Sequence, residues 1–171
     1  IKKEFIKVDV LEQKQGVRLT NKGQSLMDST YGFNELDLDL YNRLMEGQID
    51  IDKEFKREKR ILNSIYDSRP EVDATIDQSK GTVNTSLKRA ILCLQNHGIM
   101  GKKILCVGDD DLVSVAIGFL LKKLFPRANS YPAEVHILDI DKRFLKYIAQ
   151  VAKLENLPIR GHYTDLREPL D

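Results

Sequence analysis

From residue 102 onward, apolar strand-like segments alternate with helical segments, and this alternation constrains the fold more than any other feature of the chain. KKILCVG, EVHILDID and PIRGHYTDL are predicted strands, and LVSVAIGFLLKKLF and KRFLKYIAQVAKLENL are predicted helices between them. Near-continuous apolar strands joined by helices are typical of a parallel sheet that helices cover on both faces. The sequence therefore predicts a truncated α/β, Rossmann-like fold, the first half of a doubly wound sheet.

The first strand–helix junction holds Gly108 followed by three consecutive aspartates, Asp109, Asp110 and Asp111. One aspartate can cap the helix that begins near Leu112, but capping does not need three carboxylates that repel one another. A dinucleotide pyrophosphate or the carboxylate of S-adenosylmethionine would be repelled here, and the glycines of the dinucleotide fingerprint are missing. Decarboxylated S-adenosylmethionine and a polyamine such as spermidine carry positive charges instead. The junction therefore favours cationic ligands.

Four motifs give the chain a family resemblance. VGDDDLVSVAIG, the LDID that ends the second strand, the DLREPL after the third and the IDQ of the upstream loop resemble the branched-chain polyamine synthases, which are N4-bis(aminopropyl)spermidine synthases. The resemblance covers about residues 70–171 and implies a fold like that of class I methyltransferases. It also implies aminopropyl transfer from decarboxylated S-adenosylmethionine to a secondary amine of spermidine, with release of methylthioadenosine and without a metal.

The resemblance implies roles on the acceptor side of the reaction. Asp109 or Asp110 would be catalytic and accept the proton of the reacting amine, because an ammonium is no nucleophile until it loses one. Asp111 would help to bind the amine. Asp77 and Gln78 would also be substrate-binding residues, but they match a pair in the loop that covers the donor.

It implies further roles on the donor side. Gly108 would let the backbone approach the donor, Asp139 would hold the ribose hydroxyls, and Asp165 would meet the adenine amino group. Asp141 is the second choice for the ribose and is more readily explained as a helix cap. Ile76 stands where the family has an aromatic residue, so stacking is weakened there.

The N-terminal segment predicts a hairpin followed by a helix. FIKVDVLEQ and VRLT are the strands, Gly16 provides the turn, and Thr20 or Asn21 caps the helix. This arrangement, with LTNKG at the junction, resembles the wing end of a winged-helix α+β domain; a generic hairpin packed on a helix is the alternative. Its lysines alternate with acidic residues, so we expect homodimerisation or substrate gating rather than DNA binding.

Three segments are predicted along the chain. Residues 1–46 form a partial winged-helix-like domain, 47–82 a helical linker with the donor-site loop, and 83–171 the N-terminal half of the catalytic domain. The last begins with a helix opened by Thr85-Ser86 and ended by Gly98. Because the chain starts without methionine and stops just after a strand, we expect a fragment without full activity.

Composition limits the remaining classes. The 171 residues are 42% hydrophobic and 31% charged with a net charge of +1, which argues against nucleic-acid binding by bulk electrostatics. No apolar stretch could span a bilayer. Cys93 and Cys106 are predicted to be buried thiols of a cytoplasmic protein. His97, His136 and His162 are not clustered by spacing and receive no role.

Two other functions compete with aminopropyl transfer. An S-adenosylmethionine-dependent methyltransferase would share the fold and the ribose-binding acid, but would have to place the donor carboxylate beside the three aspartates. A winged-helix regulator would bind DNA through the N-terminal hairpin, and a steep salt dependence of duplex binding would reveal it.

Overall fold

The computed structural model of the chain describes residues 6–11, 14–31, 35–76, 78, 80–128, 131–165 and 167. An antiparallel hairpin lies near the N-terminus, and a parallel sheet with its helices follows a helical middle segment. In chain order the elements are β1 (Ile6–Leu11), β2 (Lys14–Leu19), α1 (Asn21–Tyr31), α2 (Leu38–Met45), α3 (Ile51–Glu54), α4 (Lys56–Asp67), α5 (Val83–Gln95), β3 (Lys102–Val107), α6 (Val113–Leu124), β4 (Ala133–Asp139), α7 (Lys142–Glu155) and β5 (Ile159–Tyr163). A single 3-10 turn, Ala74–Ile76, lies between α4 and α5.

The predicted parallel sheet is confirmed, with its strands in the order β3-β4-β5. Val135 in the central strand β4 pairs with Ile104 of β3 on one side and with Ile159 of β5 on the other. Because the strands run parallel, their carboxyl ends lie along one edge of the sheet. That edge is where open α/β sheets bind their ligands.

Helices cover only one face of this sheet in the described residues, so the prediction of two covered faces is wrong there. The strands follow one another in sheet order, and two crossovers of the same hand, the right hand as a rule, place the connecting helices α6 and α7 on the same side. Val135 and Ile137 of β4 are completely buried on that side. Leu105 and Val107 of β3 are 55% and 61% exposed on the other.

Helix α6 forms the centre of the core because it is apolar around nearly its whole circumference. It packs against the sheet and against α5, whose predicted apolar stripe from Leu87 to Leu94 is buried. Phe55 and Leu62 of the middle segment belong to the same buried cluster. The domain boundaries at residues 46 and 82 stay predictions.

The predicted N-terminal hairpin and helix are present, but the predicted turn is misplaced. Leu11 already pairs with Lys14, so the chain has reversed direction before it reaches Gly16, which lies in β2 opposite Asp9. Thr20 caps α1, because its Oγ1 accepts a hydrogen bond from the N–H of Gly23 at 3.2 Å. The winged-helix assignment stays a prediction.

Both ends of α5 differ from the prediction. The helix begins at Val83 rather than at Thr85, because Oγ1 of Thr82 accepts a hydrogen bond from the N–H of Thr85 at 3.2 Å and caps the first turn. At the other end, His97 takes the left-handed conformation with a φ of 57°, a position that glycine usually fills. Gly98 follows it and is not the residue that reverses the chain.

The two cysteines are less buried than predicted. Cys93 is exposed, since it lies on the outer side of α5, and the prediction of a buried thiol is wrong there. Cys106 is half-buried, and desolvation raises its pKa to about 12. None of the described helices combines the length and the apolar character that crossing a bilayer requires.

Candidate functional site

A cavity of about 560 Å³ opens at the carboxyl ends of the three parallel strands. Gly108 after β3, Asp139 at the end of β4 and Asp165 after β5 line it, and so do Ile76 and Gln78 from the loop before α5. The prediction that the strand ends gather these groups around one crevice is confirmed. Their roles toward a ligand stay predictions.

Gly108 gives the cavity an open wall at the end of β3. Its φ of +69° lies in the left-handed region that side chains disfavour. Its N–H donates to the carbonyl of Leu138 at 2.8 Å, which ties the start of the loop to β4. A Cβ atom built here would meet nothing within 4 Å. Glycine is therefore required by the backbone conformation of the turn and not by the closeness of a neighbouring group.

Asp109 is turned into the protein and is only 2% exposed. Its carboxylate accepts hydrogen bonds from the N–H of Ser114 at 3.2 and 3.3 Å and from the hydroxyl of Ser114. One of the three aspartates therefore bonds to the first turn of α6, as predicted, but Asp109 does so from outside the helix, because the N-cap position is occupied by Leu112. Burial raises the pKa of Asp109 to about 7, because desolvation outweighs the hydrogen bonds from Ser114.

The next two aspartates point in different directions. Asp110 is half-buried and lines the cavity. Asp111 is 8% exposed, and its carboxylate accepts a hydrogen bond from the N–H of Gly81 at 2.6 Å and pairs with the guanidinium of Arg89. Of the three consecutive aspartates, only Asp110 is among the residues that line the cavity.

Asp139 ties the turns after β3 and β4 together. It is 8% exposed, and its two oxygens accept hydrogen bonds from the N–H of Asp109 at 3.2 Å and from that of Asp141 at 2.8 Å. Asp141 itself caps α7, as expected, by accepting from the N–H of Arg143 at 2.8 Å. The side chain of Arg143 lowers the pKa of Asp141 to about 2.

The turn after β5 carries an ion pair. Arg167 donates through Nη2 and Nε to the two carboxylate oxygens of Asp165 at 2.6 and 2.8 Å. These hydrogen bonds lower the pKa of Asp165 to about 2. Both residues line the cavity, so the carboxylate predicted to meet adenine is already paired with a cation.

Gln78 connects the loop before α5 to the turn after β4. Its Oε1 accepts from the N–H of Asp73 at 2.7 Å, and its Nε2 donates to Oδ2 of Asp141 at 3.1 Å. Ile76, 41% exposed, lines the cavity from the same loop. Asp77 lies outside the described residues, so its predicted role stays a prediction. The loop thus closes one side of the cavity through the amide of Gln78.

The charges of the cavity suit cationic ligands. Three carboxylates line it, from Asp110, Asp139 and Asp165, and Arg167 is the cation among the described lining residues. Carboxylates can attract an ammonium group, accept hydrogen bonds from hydroxyl groups and receive a proton.

Sequence reasoning missed a polar network behind the three aspartates. Tyr66 and Arg69, buried at the end of α4 and just after it, and Ser86 of α5 bond to carbonyl oxygens of the aspartate loop. One signal could have pointed to it. Tyr66 is four residues after the buried Leu62, and a tyrosine on a buried helix face needs a partner for its hydroxyl.

His136 and His162 are also brought together, contrary to the reading from sequence spacing. The parallel register places β4 beside β5, and Nδ1 of His136 lies 2.9 Å from Nε2 of His162 with the rings stacked. Both belong to the sheet face that α6 and α7 leave uncovered, and neither is among the described residues that line the cavity.

The chain matches the family described as the branched-chain polyamine synthase A C-terminal domain over residues 58–171. An uncharacterised protein of Methanocaldococcus jannaschii is 34% identical over 94% of this chain and 41% of the relative's length. The N(4)-bis(aminopropyl)spermidine synthase of Thermus thermophilus is 35% identical over 60% of this chain and 27% of its own length.

A solved structure shows the same likeness. The branched-chain polyamine synthase from Thermus thermophilus, in complex with N4-aminopropylspermidine and 5′-methylthioadenosine, superimposes with a TM-score of 0.57 at 33% identity. The match covers 67% of this chain and 31% of that protein, so the chain spans less than half the length of the relatives it matches. By sequence and by fold, the chain belongs to the branched-chain polyamine synthase family.

Proposed function

We propose that this chain forms the donor-binding part of an aminopropyltransferase that moves an aminopropyl group from decarboxylated S-adenosylmethionine to a polyamine such as spermidine. The acid-rich cavity at the sheet edge carries the proposal, because Asp110, Asp139 and Asp165 line it together. A relative named for this synthesis and a related structure that holds its product with methylthioadenosine support it. Both substrates are cations, which carboxylates attract.

The reaction makes two demands on the site. The acceptor nitrogen forms a bond to the aminopropyl carbon next to the sulfonium, and the electron pair of the broken C–S bond stays on sulfur, which leaves as the thioether of methylthioadenosine. The nitrogen needs a free lone pair to attack, so it gives up one proton in the course of the transfer. The site must therefore attract an ammonium and also accept its proton.

Asp110 meets these demands better than its neighbours. Asp110 lines the cavity, whereas the carboxylate of Asp109 is turned to Ser114 of α6 and that of Asp111 to Gly81 and Arg89, away from the cavity. We therefore assign proton acceptance to Asp110. Asp109 then fixes the loop to the first turn of α6, and Asp111 fixes it against the start of α5.

The other strand ends suit the nucleoside. Asp139 has used one lone pair of each oxygen on a backbone N–H, which leaves acceptor capacity for ribose hydroxyls. Gly108 carries no side chain that would block close approach, and Asp165 is held by Arg167 where it could accept from the adenine amino group. Gln78 contributes by closing the loop over the cavity through Asp141.

A methyltransferase that uses intact S-adenosylmethionine is the second candidate. One observation favours it, since Arg167 lines the cavity and could pair with the donor carboxylate. The guanidinium is, however, already bonded to both oxygens of Asp165. Asp110 and Asp139 would also repel the added carboxylate.

Calorimetry with the two donors tests the proposal. Decarboxylated S-adenosylmethionine should bind the protein of full natural length at least about 10-fold more tightly than the intact molecule, because one carboxylate is removed from an acidic site. Mass spectrometry of a reaction with spermidine should then show the added aminopropyl group. Tighter binding of the intact donor, with methyl transfer, would overturn the proposal in favour of the second candidate.

The N-terminal hairpin and α1 fit the wing and following helix of a winged-helix domain, and we infer that they serve homodimerisation or substrate gating. Light scattering of the protein with and without residues 1–46 tests the first role. If the number of subunits per particle is the same with and without these residues, dimerisation through this segment is overturned.

A further inference from the structure

The loop that carries Asp110 rests on buried side chains outside the predicted site. The hydroxyl of Tyr66 donates to the carbonyl of Asp111 and lies 2.5 Å from Oγ of Ser86. Ser86 Oγ in turn donates to the same carbonyl at 2.8 Å. The backbone at Asp111 is therefore fixed from α4 and α5 at once.

Arg69 holds the neighbouring peptide group. Its Nη1 donates to the carbonyl oxygen of Asp110 at 3.2 Å, and its guanidinium carbon lies 4.8 Å from the centre of the Tyr66 ring. The residue is only 8% exposed. In the part of the chain that the structure describes, Arg69 forms no ion pair and its Nε has no hydrogen-bond partner.

A buried guanidinium without a carboxylate partner is an unfavourable choice for packing alone. Burying a charge is costly unless it is paired, and an apolar side chain of similar volume is often more stable in such a place. Arg69, however, contacts a loop of three consecutive carboxylates that repel one another. Its charge attracts this loop, while its N–H fixes the orientation of the peptide group of Asp110.

We propose that Arg69 is a positioning residue for the transfer reaction. It acts through the carbonyl of Asp110 from the buried side of the loop and holds the carboxylate of Asp110 at the cavity. Tyr66 supports it by packing against the guanidinium and by bonding to the carbonyl of Asp111. The inference rests on the proposed function, in which Asp110 meets the acceptor amine. The middle segment then contributes to catalysis without touching substrate.

Variants of Arg69 in the protein of full natural length distinguish an effect on the positioning of Asp110 from an effect on the binding of the donor. Arg69→Met keeps most of the volume but removes the charge and the N–H donors, whereas Arg69→Lys keeps the charge. With decarboxylated S-adenosylmethionine and spermidine, Arg69→Met should lower kcat about 10- to 100-fold, because a misplaced reacting group slows the chemistry. The donor KM should change by less than about 3-fold, since the donor contacts remain. Arg69→Lys should recover part of the loss.

Two further variants make the test independent of a folding defect. Tyr66→Phe removes only the hydroxyl and should lower kcat about 3- to 10-fold at an unchanged donor KM, in line with the loss of one buried hydrogen bond. Arg43→Met is the matched control. Arg43 is an arginine of α2 that pairs with Asp39 and Glu54, and its loss should leave both constants unchanged.

The outcomes distinguish this inference from the function on which it rests. If the protein without substitutions transfers no group from either donor, the proposed function is overturned, and the role of Arg69 with it. An active protein whose folded Arg69→Met variant keeps kcat within about 2-fold, or loses donor affinity in step with kcat, overturns the positioning role alone. Should Arg69→Met fail to fold, near-normal kcat in both Arg69→Lys and Tyr66→Phe overturns it instead.

Discussion

The first and the last strand ends of the sheet both bring an aspartate to the cavity, yet they hold it by different means. After β3, the loop of residues 108–111 is bonded to α5, to α6 and to the chain after α4, and two of its residues, Asp109 and Asp111, are buried. After β5, Asp165 is held by Arg167, which is exposed and lies two residues further along. The first arrangement fixes a side chain through the folded core, whereas the second relies on a local ion pair. The comparison indicates that contacts with the folded core are used where a reacting group must be placed accurately.

The largest effect is expected at Asp110, where the loop of residues 108–111 meets the cavity. Asp110→Asn should lower aminopropyl transfer by about 10²- to 10⁴-fold, the usual contribution of a general base. Asparagine has the same size and the hydrogen bond from Arg69 goes to the backbone of this residue, so the unfolding temperature should change far less than the rate. A steady-state assay beside a thermal melt measures both quantities. Near-normal turnover in this variant would mean that the loop is built for stability alone.

Asp109 allows a test of the buried side of the same loop. Burial raises its pKa from 3.8 to about 7, so the folded protein keeps a proton that the unfolded chain has already lost in this range. The free energy of unfolding should therefore fall as the pH rises from about 4 to about 7. Asp109→Asn has no such proton and can still accept from the N–H of Ser114. Over this pH range, the free energy of unfolding of the variant should therefore fall by less than that of the original protein, with a difference on the order of 2–4 kcal/mol.

Denaturant unfolding of both proteins at pH 5 and pH 8 measures this difference. The variant should be relatively more stable at the higher pH. Parallel pH responses of the two proteins would show that Asp109 is not the buried acid described above.

The loop before α5 gives a smaller and reversible effect. Gln78→Glu places a carboxylate against Asp141, and the resulting repulsion should raise the dissociation rate of methylthioadenosine about 10-fold, equivalent to one lost hydrogen bond. In the double variant with Asp141→Asn, the new amide can donate to Glu at position 78 and still cap α7. Stopped-flow release should then return toward the original rate. Additive effects of the two substitutions would exclude a direct bond between these side chains.

The smallest effect is expected at the last strand end. Asp165→Asn breaks an ion pair with an exposed arginine, and such pairs contribute little to stability. The unfolding temperature should move by no more than about 1–2 °C. A thermal melt at low and high salt measures it. A clear loss of stability would remove the contrast between the two strand ends.

Local patterns in the sequence predicted the elements well, because apolar periodicity reflects which side of a segment is buried. The strands around Val107 and Asp139 and the stripe of α5 followed from it. The gathering of the strand ends at one edge followed as well, since parallel strands share their direction.

Tertiary partners decided what the sequence could not show. Three adjacent aspartates look equivalent, and only the positions of Ser114 and Arg89 turn Asp109 and Asp111 away from the cavity. In the part of the chain that the structure describes, the second sheet face has no helix over it, which depends on the crossovers, and the pair of histidines depends on the register. Arg69 carries no local signal because its partner is a carbonyl distant in sequence.

The position of the acceptor amine tests the central claim most directly. A crystal structure of the full-length protein with N4-aminopropylspermidine and 5′-methylthioadenosine would reveal it. The ribose should lie on Asp139, and the carboxylate of Asp110 should be the group of the aspartate loop within hydrogen-bond distance of the nitrogen that received the aminopropyl group. A nucleoside bound outside this cavity, or an amine held by Asp109 or Asp111 with Asp110 turned away, would contradict the account.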